Sequence, residues 1–461
     1  MLINDVLARD KAPRSTTSTS ELVRTIARKF EQELARVVGD VGCEDLTAMR
    51  FEGFLSDLKS TLADIGCETI EQVLESRDST ESRIVRDGEV LRYRESTGMH
   101  WLTSFGRVKV MRRVYRADGG GAGSFAPLDD ACGMRDRFMT PDVEEMVAFG
   151  AAMLTANEVA QLLAKTLPAG PSTTAIQNVV LRLGTEIEDQ RVAIELGMES
   201  ESPLSCEGDT LVVSWDGVMT PLREPTKVAW REAGVATVSI YGEDEKGPVK
   251  LDTRYYARMP EKGMKTLLEQ VVDQVARAGR NREFREFAVI CDGKDTIWNA
   301  AAAHPEFQDA VWILDFYHAA ENLMKAAKAI FGDDEVGAAR WHKKIRGRLL
   351  REPNGADSAI RSMRRYRKSL RKGSKACKVV HNAIKYFCYH RDRMCYFDFV
   401  SMGLPIGSGP VESAAKNIVQ ARLKRSGMRW SRSGGQHVLN LRTYLKSNRW
   451  DVMWSTITKA A

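Results

Sequence analysis

The chain has 461 residues, of which 43% are hydrophobic and 28% charged, and its formal net charge is +6. This length allows roughly two to four domains with cores of their own, and the hydrophobic fraction excludes a wholly disordered chain. No apolar run reaches the roughly 20 residues that cross a bilayer, and the N-terminal residues lack the apolar core of a signal peptide. We therefore expect a cytoplasmic protein with no membrane partner.

The positive charge is concentrated in the C-terminal third of the chain. Residues 340–378 contain fifteen Lys or Arg against two acids, and residues 416–449 contain nine basic residues and no acid. Such a concentration is typical of proteins that bind polyanions, although a basic face can also be a solvated helix surface. The eight cysteines are scattered singly, without the two-residue spacing of a zinc knuckle or a redox dithiol, which predicts reduced thiols.

The N-terminal part is predicted to be helical with a small β element. Residues 1–20 are rich in Ser and Thr and are expected to form a disordered tail. The apolar spacing over 21–76 predicts helix, whereas 90–94 and 106–115 are typical of strands. We treat 21–135 as one helical and β-strand region.

Residues 136–204 return to a helical pattern. A helix over 157–164, a break at 167–171 and a second helix over 172–183 resemble a helix-turn-helix that would bind DNA. Helical hairpins are also common in ordinary α-rich domains, and the second helix has few basic residues. The sequence therefore leaves two interpretations of this region, a DNA-binding helix-turn-helix and an ordinary packed helical hairpin.

From residue 205 the pattern alternates between strands and helices. Strands are predicted over 210–214, 235–241, 249–257, 287–291 and 310–314, with an amphipathic helix over 262–278. Short apolar runs of this kind suit strands buried inside a sheet with helices on its faces. The order (three strands, helix, strand, helix, strand) is that of the ribonuclease-H fold. We therefore predict an α/β, ribonuclease-H-like core over 205–318 and 401–430, a basic helical insertion over 319–400, and a C-terminal helical tail over 431–461.

Three of the predicted strands end in an acid: Asp216, Asp292 and Asp315. In open α/β sheets functional groups collect at the carboxyl ends of the strands, and repulsion between converging carboxylates favours a cation. Mg²⁺ and Mn²⁺ prefer oxygen ligands, and a pair of such ions can assist phosphodiester cleavage. An Asp-Gly pair also marks any strand-ending turn, so the spacing alone leaves a metal site and a simple turn both open.

Four motifs resemble a known family. They are SWDG at 214–217, ICDG at 290–293, LDFYHAAENL at 314–323 and GSGPVES at 407–413. Together they look like the core of bacterial insertion-sequence transposases of the Kra type, a DDE group related to the Mutator-like superfamily. The block RLKRSGMRW at 422–430 resembles the segment that follows the catalytic glutamate there, and the similarity extends from roughly residue 93 to residue 450.

This resemblance implies roles for individual residues. Asp216, Asp292 and Glu412 would be the catalytic residues and would bind two Mg²⁺ or Mn²⁺ ions. Asp315 and His318 match the Cys-or-Asp, two residues, His element of Mutator-like enzymes and would be a supporting pair. The rival triad is Asp216, Asp315 and Glu412. Asp292 is preferred because it follows the strand expected after the amphipathic helix.

The basic residues would contact double-stranded DNA, both transposon ends and target. On the insertion they are Lys343, Lys344, Arg346, Arg364, Arg365, Arg367, Lys368, Arg371 and Lys372; after the catalytic glutamate they are Arg422, Lys424, Arg425 and Arg429, with Trp430 for base stacking. Relatives often carry cysteines that suggest a zinc ribbon in the loop corresponding to 116–123. This stretch has none here, so structural zinc is not expected.

The resulting prediction is a DDE transposase that cleaves DNA and transfers strands. It would act as a homodimer or higher oligomer on DNA and be associated with the nucleoid when bound. Two alternatives remain: a non-catalytic DNA-binding regulator derived from a transposase, and another nuclease of the ribonuclease-H fold.

Overall fold

The computed structural model describes residues 19–41, 47–117, 123–224, 228–293 and 295–459. Residues 1–18 of the predicted N-terminal tail and most of the cysteine-free 116–123 loop lie outside these residues, whereas Thr19 and Ser20, predicted as part of the tail, begin the first helix. The chain divides into two compact units, Met1–Val179 and Val180–Ala460, and the boundary falls inside a helix within the 136–204 region. The protein is of the mixed α/β class.

The first unit combines helices with a three-stranded antiparallel sheet of order β1-β2-β3. Its helices are α1 (Thr19–Val41), α2 (Ala48–Arg77), α3 (Pro127–Ala131), α4 (Pro141–Met153), α5 (Ala156–Thr166) and the start of α6 (Thr173–Asp189). Its strands are β1 (Arg83–Arg86), β2 (Glu89–Thr103) and β3 (Gly106–Ala117). The predicted helices and the two predicted strands of this region are confirmed.

The outer edge of β3 is covered by carboxylates from α2 and its C-cap. These side chains accept hydrogen bonds from the backbone N–H groups of alternate residues along the strand. The pairs are Glu71 with Lys109 (2.6 Å), Glu75 with Met111 (3.0 Å) and Asp78 with Arg113 (2.6 Å). An uncovered edge strand can pair with other chains, so these contacts protect the sheet.

The helix pair predicted over 157–183 is confirmed as α5 and α6. Thr155 begins α5 with a capping box, in which its hydroxyl accepts from the Glu158 backbone N–H and the Glu158 carboxylate accepts from the Thr155 backbone N–H. DNA recognition by these helices stays a prediction.

The second unit is built on a five-stranded sheet of order β6-β5-β4-β7-β8. The strands are β4 (Thr210–Arg223), β5 (Val228–Asp244), β6 (Gly247–Arg258), β7 (Glu286–Cys291) and β8 (Val311–Leu314). β4, β5 and β6 are antiparallel neighbours, whereas β7 and β8 run parallel to β4. All five predicted strands are confirmed. β4 runs past its predicted end because it stays paired with β5 as far as Arg223.

Helices surround this sheet and form the long insertion. After α6 they are α7 (Arg191–Glu201), α8 (Lys265–Asn281), α9 (Asp295–Ala302), α10 (Phe316–Phe331), α11 (Glu335–Arg351), α12 (Gly355–Arg367), α13 (Lys375–Tyr389), α14 (Tyr396–Ser401), α15 (Gly409–Ala414), a π-helical stretch (Ala415–Gln420), α16 (Ala421–Leu423), α17 (Arg432–Lys446) and α18 (Trp450–Lys459). Short 3₁₀ turns occupy Lys262–Met264, Pro305–Phe307 and Arg391–Arg393.

A continuous apolar core joins the sheet to α8 and to the helical insertion. Val213 and Val289 on the central strands are fully buried, and Leu267 and Val271 of α8 pack in the same cluster. Burial of each such side chain stabilises the fold by roughly 1.5–3 kcal/mol. The insertion is helical as predicted, with its apolar faces turned inward and many of its basic side chains on the surface. Within the described parts of the chain, no helix combines the length and apolar character that a membrane span requires.

An ion pair with hydrogen bonds ties the end of α6 to β6. Arg258 donates two hydrogen bonds to Glu188, at 2.6 and 3.0 Å, and Asn440 donates a third at 2.6 Å. Burial alone would raise the pKa of Glu188, but the hydrogen bonds from Arg258 and Asn440 outweigh it and lower the pKa below its ordinary value.

We expect Glu188→Gln to lower the free energy of unfolding by about 1–2 kcal/mol at neutral pH, since solvent screens this partly exposed pair. Because the folded-state pKa of Glu188 is lowered, its stabilisation is present above the unfolded pKa and is lost as pH falls through the folded one. Urea unfolding of both proteins between pH 7 and 3 checks this. A stability difference that persists undiminished at the acid end would contradict it.

Candidate active site at the carboxyl ends of the strands

Three acids lie side by side at one edge of the second unit's sheet. The parallel registers align Trp215 with Cys291, and Cys291 with Leu314. Each of these residues is followed directly by an acid: Asp216, Asp292 and Asp315. Adjacent strands are about 4.8 Å apart, so the three acids occupy neighbouring positions on β4 and just beyond β7 and β8.

Asp315 is fully buried and has contacts with its own chain on both carboxylate oxygens. Its Oδ1 accepts from the His318 backbone N–H at 2.7 Å, which caps α10, and its Oδ2 accepts from the Ser408 backbone N–H. Burial alone would raise the pKa of Asp315, but the hydrogen bonds from His318 and Ser408 outweigh it and lower the pKa. Asp315 is therefore an ionised carboxylate that joins α10 to the loop before α15.

His318 lies beside Asp315, with its Nδ1 3.2 Å from the Asp315 Oδ1. The hydrogen bond to Asp315 raises the pKa of His318 to about 9, against the opposing effect of burial, and the charges of Asp315 and Asp292 add to the rise. At neutral pH the ring is thus protonated, and both of its nitrogens are hydrogen-bond donors.

Glu412 lies in the first turn of α15, where its backbone N–H donates to the Ser408 carbonyl at 3.1 Å. Because Ser408 is also bound to Asp315, the buried acid holds the start of the helix that carries Glu412. Asp315, His318 and Glu412 each have a candidate ligand atom within 4.8 Å of the others. Asp216 and Asp292 do not belong to this cluster of candidate ligands.

A further carboxylate, which the sequence did not indicate, lies beside Gly217, the residue after Asp216. The Gly217 backbone N–H donates to the Asp216 Oδ1 at 2.6 Å. A Cβ at Gly217 would lie only 2.0 Å from the Glu232 Oε1, so the Glu232 side chain on β5 passes over this glycine. Only the register of β4 against β5 brings Glu232 here.

The helical insertion contacts the turn that carries Asp292. Tyr386 donates its hydroxyl to the Asp292 carbonyl at 3.4 Å, and its ring meets the buried His390 ring edge-on at 4.7 Å. Gly293 has φ +94°, and a Cβ there would lie 3.1 Å from the His390 Nε2. Glycine is therefore needed both for this backbone conformation and for the close approach. Tyr386 and His390 had no recognisable spacing in the sequence.

Most of the predicted DNA contacts are accessible. The exposed ones are Lys343, Lys344, Arg364, Arg365, Lys368, Arg371, Lys372, Lys424, Arg425 and Arg429; Arg346 and Arg367 are half-buried. Arg346 lies over the Phe316 ring and Arg367 contacts His381.

Arg422 and Trp430 have structural contacts. Arg422 is only 4% exposed, and its guanidinium lies 5.0 Å from the centre of the half-buried Trp430 ring. The indole donates to the Leu423 carbonyl, and the Trp430 backbone pairs with the end of β4. Burial and these contacts favour a structural role over the predicted contact with DNA for both residues.

The donor chemistry at this edge of the sheet suits a hard divalent cation. Asp216, Asp292 and Glu412 offer carboxylate oxygens, which Mg²⁺ and Mn²⁺ prefer. Asp315 and His318 are already bound to each other, and Asp315 also accepts hydrogen bonds from the backbone N–H groups of His318 and Ser408.

Comparison with known proteins does not assign the chain to a family. No known family model matches the chain, and no curated protein matches it. Among solved structures, the chain is similar to the crystal structure of NurA with manganese, with 14% identity and a TM-score of 0.09 over 61% of this chain and 64% of that one. The chain thus spans just under two thirds of that protein's length, and a likeness this low carries no argument about fold or function.

Proposed function

We propose that the second unit is a ribonuclease-H-like catalytic core and that the protein is a DNA transposase. The fold is supported by the sheet order β6-β5-β4-β7-β8, in which three antiparallel strands come first in the chain and two strands parallel to β4 follow. The observation that carries the function is the alignment of Asp216 and Asp292 at the ends of neighbouring central strands. The motifs at 314–323 and 407–413 add the family resemblance.

In this proposal Asp216, Asp292 and Glu412 hold the divalent metal, while Asp315 and His318 position the site. Asp315 suits a positioning role because it is fully buried and bound to the backbone of both α10 and the loop before α15. When bound, Mg²⁺ or Mn²⁺ would activate an attacking oxygen and stabilise the leaving one in phosphodiester cleavage. The rival triad with Asp315 draws support from its closeness to Glu412.

The exposed basic side chains of the insertion would hold the DNA backbone near the acids. The Glu412 helix leads into a second exposed basic group, formed by Lys424, Arg425 and Arg429. Contacts of this type position DNA without reading its sequence, so recognition of transposon ends would need other surfaces, such as the α5–α6 pair.

We expect Lys343→Gln with Lys344→Gln to weaken DNA binding and to flatten its salt dependence. Each phosphate contact that is lost reduces the slope of log K against log salt by about 0.9 for duplex DNA. The control is Lys246→Gln with Lys250→Gln, two exposed lysines in the β5–β6 turn and on β6. Fluorescence anisotropy across a salt series checks this, and equal slopes for both double variants would contradict a DNA surface on α11.

A mobility assay in a bacterial host tests the proposed function. The assay places a selectable marker between the DNA segments that border the coding sequence and supplies the protein in trans. A transposase moves the marker to new sites, whereas a regulator or another ribonuclease-H-fold nuclease does not. Absence of movement with the wild-type protein, under conditions where it binds those borders, would overturn the proposal.

A further inference from the structure

The α1–α2 hairpin presents apolar surface that the other described residues of the first unit leave exposed. The helices are antiparallel, because a short linker joins the end of α1 to the start of α2 and Lys29 pairs with Glu68 farther along. At 100° per residue the apolar positions of α1 span an arc of roughly 160°. One half is wholly or partly buried and contains Leu22, Ile26 and Val37; the adjoining half contains the partly buried Leu34 and three side chains that are 37–58% exposed, Val23, Phe30 and Val38.

α2 repeats this division. Its partly buried apolar positions include Phe54, Leu58 and Ile65, and its exposed ones include Phe51, Leu55, Leu62 and Val73, which are 39–47% accessible. Viewed from its own N-terminus, each helix has its exposed half clockwise from its covered half, as in the steps from Val37 to Val38 and from Phe54 to Leu55. The two helices run in opposite directions and their covered halves face each other. Both exposed halves therefore lie on the same face of the hairpin.

We propose that this hairpin face is a homodimer interface, with a second copy of the chain as its occupant. α1 has 23 residues, so at 1.5 Å per residue the face is about 35 Å long. With two helices about 10 Å apart it is about 20 Å wide. The resulting area of about 700 Å² is close to the roughly 800 Å² per partner of a standard stable interface.

A two-fold axis through this face would pair the same apolar strip from each copy and close the assembly as a four-helix arrangement. The residues at 23, 27, 30, 34 and 38 are Val, Ala, Phe, Leu and Val, so no charge would be buried along α1. The inference deepens the proposed function by naming the surface that pairs two transposases. Oligomeric state can be measured without DNA, so its failure is separable from failure of the catalytic proposal.

Light scattering after size-exclusion chromatography tests the interface on the full chain. We expect the wild type at twice 51.6 kDa and the double variant Phe30→Glu/Leu62→Glu at 51.6 kDa. The matched control Phe397→Glu/Leu196→Glu changes exposed side chains of the same types in the second unit and should stay dimeric. A monomeric wild type, or a folded Phe30→Glu/Leu62→Glu variant that stays dimeric, would overturn the proposal.

Photo-crosslinking covers the case in which the glutamate variant fails to fold, as judged by circular dichroism. A benzoylphenylalanine in place of Phe30 in the otherwise wild-type chain should give covalent dimers on irradiation, and one in place of Phe397 should not. Crosslinks that stay within one chain, for example to residues 1–18, would identify a different occupant and overturn the inference.

Discussion

Replacing Asp292 by Asn is expected to abolish DNA cleavage and joining while the protein stays folded. Asp292 follows β7 directly, beside Asp216 on the neighbouring strand, so the substitution removes a proposed metal ligand. Loss of groups that merely support a metal ligand already costs 10–100-fold in activity, so loss of a ligand itself should cost more than about a hundredfold. Gel assays of cleavage and joining, together with thermal unfolding, measure both effects.

The matched control is Asp309→Asn, an exposed acid just before β8. It should leave both activity and melting temperature at wild-type values. If Asp292→Asn keeps substantial joining activity, Asp292 is not a ligand, and the triad of Asp216, Asp315 and Glu412 becomes the better account.

Asp315→Asn is expected to give the opposite pattern, with a clear loss of stability and partial retention of joining. An asparagine has only one acceptor oxygen, so its amide group would face either the His318 or the Ser408 backbone N–H. An unsatisfied buried donor costs about 1–3 kcal/mol. The start of α15 would lose its anchor as well, which should displace Glu412 and slow catalysis.

Asp334→Asn is the control for this substitution. Asp334 also caps a helix, accepting from the Gly337 backbone N–H at 2.8 Å, but it is exposed. Asparagine is as good an N-cap as aspartate, so little change in stability is expected. Complete loss of joining by Asp315→Asn at unchanged melting temperature would show that Asp315 is a ligand rather than a positioning residue.

The strands of the second unit could be predicted because each is a short apolar run. The apolar pattern of the sequence did not predict the full length of β4, because the polar Asp216 and the following glycine interrupt the apolar run. The strand continues because cross-strand pairing, which matches Gly217 with Gly234, does not require apolar side chains. The neighbouring positions of Asp216 and Asp292 were expected from the ribonuclease-H order of the predicted strands.

Contacts between distant parts of the chain could not be predicted. Tyr386 reaches Asp292 across 94 residues, and Glu232 approaches Gly217 from another strand. Arg422 belongs to a run that is basic in the sequence, yet it is buried against Trp430. Charge pattern indicates a basic surface in general, but only packing decides which of its members point outward.

The most direct test of the catalytic proposal is an in vitro reaction with purified protein. Labelled duplexes from the DNA that borders the coding sequence are incubated with Mg²⁺ or Mn²⁺ and a second, unlabelled duplex. We predict metal-dependent cutting at the element boundary and joining of the new 3′ hydroxyl to the second duplex, with both lost in Asp216→Asn. Wild-type protein that binds these duplexes but cuts none with either metal would contradict the catalytic account and favour a regulator; cutting without joining would favour another nuclease.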